Sequence, residues 1–447
     1  MYTFSKRLKI ASIILIILGA VGWGYSYMNA HNTTVEDVKV LLAEEASHGG
    51  DHEAETESVN VADDHAEESA TTDAHNDDEH AEHVMHQIHN RPYSALYIAA
   101  FFFMMISLGA LAFYAIQYAS QAGWSPVLFR VMEGITYYLL PGALIVVAIA
   151  LWAGDHIFIW MNPDMVNPDS ADYDALVAGK YGFLNKTGFV IRALIFIGGW
   201  SLYRYFSRKF SLAQDNADDN KNFKKNFRIS AGFLVFYIYT ESMMSWDWIM
   251  SVDPHWFSTL FGWYVFASMF VSGITVIALI TIYLKSRNYL DFVNDSHLHD
   301  LAKYMFGFSI FWTYLWFSQF MLIWYADIPE EVTYFVTRIE HYKLPFFGML
   351  IMNFIFPFLV LMNSDYKRIP WFIIMAGLVI LMGHYIDVFN MIMPATVGDR
   401  WFIGLPELSA VALFLGLFIL IVFYALSKAP LKAKRNPFIK ESEYFHY

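Results

Sequence analysis

Two carboxylate-bearing stretches carry the side chains best suited to moving protons. Between residues 240 and 264 lie Glu241, Asp247, Asp253 and His255, at the end of one long apolar run and the entry to the next. Further on, His384 and Asp387 stand three residues apart late in another apolar run, so they share a helix face. An imidazole accepts a proton near neutral pH, and a carboxylate beside it orients the ring and stabilises its charge. Such a pair suits removal of the two protons released when a hydroquinone is oxidised. The same residue types also serve as polar bridges between packed helices. Glu133, Glu241 and Asp247 would make a broken string of proton carriers across a membrane, with snorkelling at the interface the alternative role for Glu133. A mid-span carboxylate such as Glu241 needs a partner, and Tyr237, Tyr239 and Thr240 are its neighbours in sequence.

These groups are set in a strongly apolar chain. Its 447 residues are 57% hydrophobic, 18% aromatic and 16% charged, outside the balance of a soluble domain. Ionisable groups at membrane depth mark by default an ion, proton or substrate path. Trp246, Trp248, Trp256 and Trp263 surround the first stretch and are of the type that anchors helices at an interface. The stretch therefore reads as a polar site just under one face of a bilayer. The net charge of −13 arises from an acidic segment, residues 36–82, and no basic stripe suited to nucleic acid is present. The absence of cysteine excludes a disulfide, a Cys-ligated iron–sulfur cluster and a Cys-x-x-Cys-His haem attachment within this chain.

Ten apolar runs are long enough to span a bilayer, at about 20 residues each: residues 10–30, 95–119, 127–153, 187–206, 229–250, 259–284, 301–325, 344–363, 369–393 and 404–426. Lys and Arg crowd before the first run, after the fourth, sixth and eighth, and into the tail at 428–447. Positive residues favour cytoplasmic loops, so both termini are expected in the cytoplasm. The first run has the basic start and apolar core of a secretory signal. Its length and the poor cleavage site at Met28-Asn29-Ala30 favour a retained anchor over residues 1–30. Residues 31–92, rich in Glu, Asp and His, read as a solvated periplasmic linker. A metal-binding tract is the alternative, with His80, His83 and His86 on one helix face. Asp247 precedes Pro254 by seven residues and Asp387 precedes Pro394 by seven, which hints at two four-helix units. The expectation is an all-α polytopic membrane protein with two four-helix bundles plus peripheral helices.

The sequence from Glu241 to Thr259, Glu-Ser-Met-Met-Ser-Trp-Asp-Trp-Ile-Met-Ser-Val-Asp-Pro-His-Trp-Phe-Ser-Thr, together with the ten runs, resembles the NrfD/PsrC-like integral membrane subunits. More closely, residues 93–427 are similar to the quinone-binding membrane subunits of bacterial alternative complex III. That resemblance implies a quinol:cytochrome c oxidoreductase of the bacterial inner membrane, oxidising menaquinol or ubiquinol. It implies as partners a multihaem cytochrome c subunit, an iron–sulfur subunit and a second NrfD-like membrane subunit. Haem c and iron–sulfur clusters would reside on those partners and none on this chain. His384, Asp387, Asp253 and His255 are then candidates for a quinol or proton-exit site, and Glu133, Glu241 and Asp247 for proton conduction. A proton-coupled secondary transporter and a non-catalytic scaffold of the same complex remain as alternatives.

Overall fold

A computed structural model describes residues 2–48 and 69–446, and the elements they form are helices. The apolar run at 10–30 forms α1 (Lys6–His31), followed by α2 (Val35–His48) and the long α3 (Ser69–Ala119). The third run is broken into α4 (Phe129–Ile135) and α5 (Leu139–Trp152) by a tight turn at Thr136–Tyr138. Two short helices, α6 (Gly154–Ile157) and α7 (Ala175–Gly179), lead to α8 (Lys186–Gln214) and α9 (Lys221–Trp248). Then come α10 (Phe261–Ser286), α11 (Asp295–Ala326) and the amphipathic α12 (Pro329–Glu340). The eighth run splits into α13 (Lys343–Leu350) and α14 (Phe356–Leu361), and α15 (Pro370–Val397), α16 (Leu405–Leu426) and α17 (Ile439–Glu443) complete the chain.

All ten apolar runs are helical, and eight are long and apolar enough to cross a membrane. The other two, α8 and α9, have 29 and 28 residues. At about 1.5 Å per residue each reaches beyond the hydrocarbon thickness of about 30 Å. Their apolar character is diluted by Arg192, Arg204 and Arg208 on α8 and by Lys221, Lys224, Lys225 and Arg228 on α9.

The helices pack as two rings of four. In the first, α3 touches α5, α5 touches α8, α8 touches α9 and α9 returns to α3. In the second, α10 touches α11, α11 touches α14, α14 touches α15 and α15 returns to α10. The rings join where α3 crosses α10. There a Cβ on Gly109 would lie 2.1 Å from the Met269 carbonyl oxygen, and one on Gly273 would lie 2.5 Å from the Ala110 nitrogen. Only glycine permits backbones to approach so closely. The apolar core of α3 is wholly buried, whereas α1 buries only Ser12, Gly19, Ser26 and Ala30 and packs along α16 as a peripheral helix.

Loops gather at two ends. At the basic end Tyr2 packs on Tyr289 and Phe423, the Gln214 amide donates to the Arg435 carbonyl, and the Asn294 amide donates to the Phe445 carbonyl. Both termini therefore lie at this end. At the opposite end the Asn90 amide donates to the Thr396 carbonyl and Trp256 stacks on Tyr334.

Where it is described, at 31–48 and 69–92, the expected linker is largely helical. Val38 of α2 packs on Ala81 and Val84 of α3, with Leu42, Met85 and Ile88 around them. These apolar residues share one face despite the acidic composition, which is why a helical hairpin forms where charge content alone suggests none. His52 and His65, and the side chains of His48 and His75, lie outside the described residues. Among the described residues no group of three or more His, Asp or Glu is placed to hold a metal ion.

Candidate functional site

The interior of the second ring holds a polar cluster. His384 and Asp387, on one face of α15, are fully buried. Tyr264 of α10 and Trp312 of α11 donate to the two Asp387 oxygens, the Trp312 Nε1 at 2.9 Å. The carboxylate therefore has two neutral donors. His384 Nδ1 lies 2.9 Å from Ser268 Oγ, 3.4 Å from Asp387 Oδ2 and 3.4 Å from the Asn353 amide nitrogen. His384 Nε2 is buried without a hydrogen-bond partner. Buried imidazole nitrogens are normally paired, so a ring whose Nε2 is free while its Nδ1 faces a carboxylate is a candidate for proton transfer.

Local sequence explains how Asn353 arrives there. Pro357 has no N–H and its ring crowds the carbonyl four residues back, which is that of Asn353. The chain answers with a π-helical turn at Ile351–Ile355 between α13 and α14. Single π turns occur often at functional sites. Across from it, Gly383 admits the Asn353 amide, whose oxygen would lie 2.1 Å from a Cβ at that position.

From the cluster a polar route leads to the end opposite the basic loops. Tyr264 lines a small cavity of about 10 Å³ with Gln319, Tyr334, Arg338 and Asn390, enough for about one water molecule. Gln319 Nε2 and Asn390 Oδ1 are buried there without partners, a donor and an acceptor suited to such a water. Arg338 of α12 donates to the Asn390 and Tyr334 carbonyls at 3.0 and 2.8 Å, and its guanidinium stacks 3.3 Å over the Tyr334 ring. Burial raises the Tyr334 phenol above its ordinary value; Arg338 opposes the shift while Asp387 and Asp253 add to it. Tyr334 thus feels both Asp387 and Asp253.

Asp253 and His255 do not join the buried cluster. Asp253 is half-buried and accepts from the His255 backbone N–H at 3.3 Å. The His255 ring is exposed and pairs with Asp174 at 2.5 Å. The Val177 backbone N–H, and further donors at Leu176 and His255, hold the Asp174 carboxyl below the usual range against partial burial. Lys180 donates to the Pro254 carbonyl at 2.5 Å; burial pushes its ammonium down, with Asp253 and Asp174 opposing.

The three proposed proton carriers are separated in the first ring. Asp247 is buried in a two-pronged ion pair with Arg192 of α8, both contacts at 2.7 Å. Arg192 also donates to the Phe183 carbonyl at 2.9 Å. Glu133 does not snorkel: it is buried and accepts from Arg130 at 2.8 Å, Ser211 at 2.5 Å and Tyr114 at 3.1 Å, with Arg208 at 3.5 Å. Glu241 has one oxygen without a partner and the other 3.4 Å from Ser242 Oγ. The neighbours expected to bond it do not: Tyr237 donates to the Met269 sulfur, Thr240 to the Phe236 carbonyl, and Tyr239 is exposed. Tyr114, Ser207 and Asn226 extend the Glu133 network along α8 and α9 without a bond to Glu241.

Glu241, Asp247 and the Asp253–His255 pair accordingly occupy three separate environments and not one site. Trp248 and Trp256 are also buried, while Trp263 alone of the four tryptophans is well exposed. Sequence reasoning passes over Arg192, although a lone cation inside an apolar run is the same signal as Glu241. It passes over Tyr264, Trp312, Ser268 and Arg338, whose roles depend on which helices face each other. For Asn353 a usable signal exists in Pro357. No protein-family model matches the chain, and no curated protein matches its sequence.

Proposed function

We propose that this multi-pass membrane protein moves protons through the His384–Asp387 cluster as a subunit of a quinol-oxidising respiratory complex. The observation that carries the reading is the buried imidazole with a free Nε2, next to a carboxylate held by neutral donors. His384 takes a proton at Nε2 and gives up the one on Nδ1 to Asp387. Asp387 passes it to the Tyr264 hydroxyl, which releases its own to a water in the cavity, toward Tyr334 and Asp253, with Arg338 as a fixed charge beside the route. Release occurs at the surface beside Asp174 and His255. The cavity is too small for a quinone ring, which favours proton release over quinol binding at this place. Menaquinol or ubiquinol would then be oxidised where this chain meets its second NrfD-like partner. Electrons would pass to the iron–sulfur and multihaem cytochrome c subunits, since this chain has no thiol to hold a cluster. The basic end, with both termini, faces the cytoplasm of a bacterial inner membrane in this reading.

The test has two parts. Mass spectrometry of what co-purifies after gentle solubilisation should find haem and iron–sulfur subunits in fixed ratio. A chain that runs alone would promote a proton-coupled transporter instead. In the intact complex, His384→Gln should lower quinol turnover with assembly preserved. Lost assembly with unchanged turnover per complex would leave only a scaffold.

A further inference from the structure

A groove of about 590 Å³ opens to the outside of the bundle near the basic end, between α1, α5, α8 and α16. Its walls are apolar: Leu140 and Pro141 on α5, Leu420 and Ile421 on α16. Its rim is cationic. Arg204 of α8 lines it, with Nε and Nη1 buried and without hydrogen-bond partners, and its guanidinium sits 4.6 Å over the Tyr137 ring. Lys9 of α1 lines the groove as well, and Lys428 lies 4.4 Å over the ring of Tyr424, another rim residue. Among the described residues no carboxylate lies within 4.0 Å of these three cations; Glu133, the nearest buried one, is taken by Arg130 and Arg208.

Buried guanidinium N–H groups without acceptors are costly. Two unneutralised cations lining one opening, with a third over the ring of its rim residue Tyr424, repel each other unless an anion sits among them. The apolar walls demand acyl or alkyl surface in the same place. A cationic pocket between transmembrane helices at the basic face has the pattern that binds anionic headgroups. From these contacts we infer that the groove holds one anionic phospholipid, its phosphate among Arg204, Lys9 and Lys428 and an acyl chain along Leu140, Pro141, Leu420 and Ile421. The lipid would brace α1 against α5 and α8. This inference does not depend on the quinol reading.

The test is native mass spectrometry of the full-length protein in detergent, titrated with dioleoyl phosphatidylglycerol, dioleoyl phosphatidylcholine or inorganic phosphate. Phosphatidylglycerol should bind more tightly than phosphatidylcholine, and phosphate should not compete at equal concentration. Arg204→Gln should weaken phosphatidylglycerol roughly fivefold and leave phosphatidylcholine unchanged. Lys428→Ala, which lies beyond the end of α16, should act in the same direction and guards against misfolding of the first variant. Equal binding of the two lipids to the wild type overturns the inference. So does headgroup preference that survives both substitutions, or phosphate that competes as well as the lipid.

Discussion

Asp247 and Asp387 lie on corresponding helices of the two rings, α9 and α15, yet their surroundings differ in kind. Asp247 is clamped by the Arg192 guanidinium through two contacts of 2.7 Å, and Glu133 in the same ring is held by Arg130 and Arg208. Asp387 has no cation bonded to it; a phenol, an indole and a histidine surround it. A charge held by a fixed countercharge has no reason to change protonation, and breaking such a pair leaves a buried ion exposed to a hostile medium. A carboxylate held by neutral donors next to an imidazole can exchange a proton with little rearrangement. The first ring thus fixes its carboxylates with cations, and on the proton-transfer proposal the second leaves its own free to exchange.

The largest expected effect tests the rigid half. Arg192→Leu strands the Asp247 carboxylate and should destabilise the protein by about 3–5 kcal/mol, read as a lower thermal midpoint in detergent. Adding Asp247→Leu to that variant should restore much of the loss, and failure to do so would remove the ion pair from the account. Asp387→Asn keeps the shape and one acceptor, for the Trp312 N–H, while the Tyr264 hydroxyl can turn to accept from the new NH2, so stability should fall by no more than about 1.5 kcal/mol. Quinol turnover of the complex should nevertheless drop by about a hundredfold or more. If stability and turnover moved together, the two rings would not differ as argued.

Pro357→Ala sharpens the comparison within the second ring. It removes the cause of the π turn, letting Asn353 rotate away from His384, and turnover should fall roughly tenfold with stability unchanged. The smallest effect lies outside both rings. The Asp174 carboxyl is depressed in the folded state, chiefly by the Val177 N–H. The stabilisation is present above the unfolded value near 4 and is lost as pH falls through the folded one. Hydrogen exchange at residues 175–179 should therefore quicken below about pH 4 while the bundle stays protected.

Length and apolar periodicity carry most of the architecture. The ten runs can be read directly, because burial in lipid demands continuous apolar helix, whereas the two four-helix groups are only hinted at, by the matching Asp–Pro spacings at Asp247 and Asp387. The three-residue spacing of His384 and Asp387 likewise announces a shared face. Partners across helices are not written in local pattern. Tyr264 reaches Asp387 over 123 residues and Trp312 over 75. For the same reason Asp247 reads as a proton carrier in sequence, whereas Arg192 holds it in an ion pair. Trp248 and Trp256 mislead differently: their type favours an interface, but aromatic neighbours draw them inside, Trp256 onto Tyr334 at 3.9 Å. At α2 a sparse apolar face was outvoted by acidic composition, although Val38, Leu42, Ala81 and Val84 suffice to pair it with α3.

The crossing of Gly109 and Gly273 has a mechanical consequence. Side chains elsewhere in the bundle can change rotamer and absorb a displacement of a few tenths of an ångström. At this crossing backbone meets backbone, and no such cushion exists. A strain arising at the His384–Asp387 cluster in α10 or α15 therefore arrives in α3 undamped, as motion passes through a coupling with no slack. The long helix, continuous from the core past Pro92 to the hairpin with α2, would carry that displacement outward like a rod.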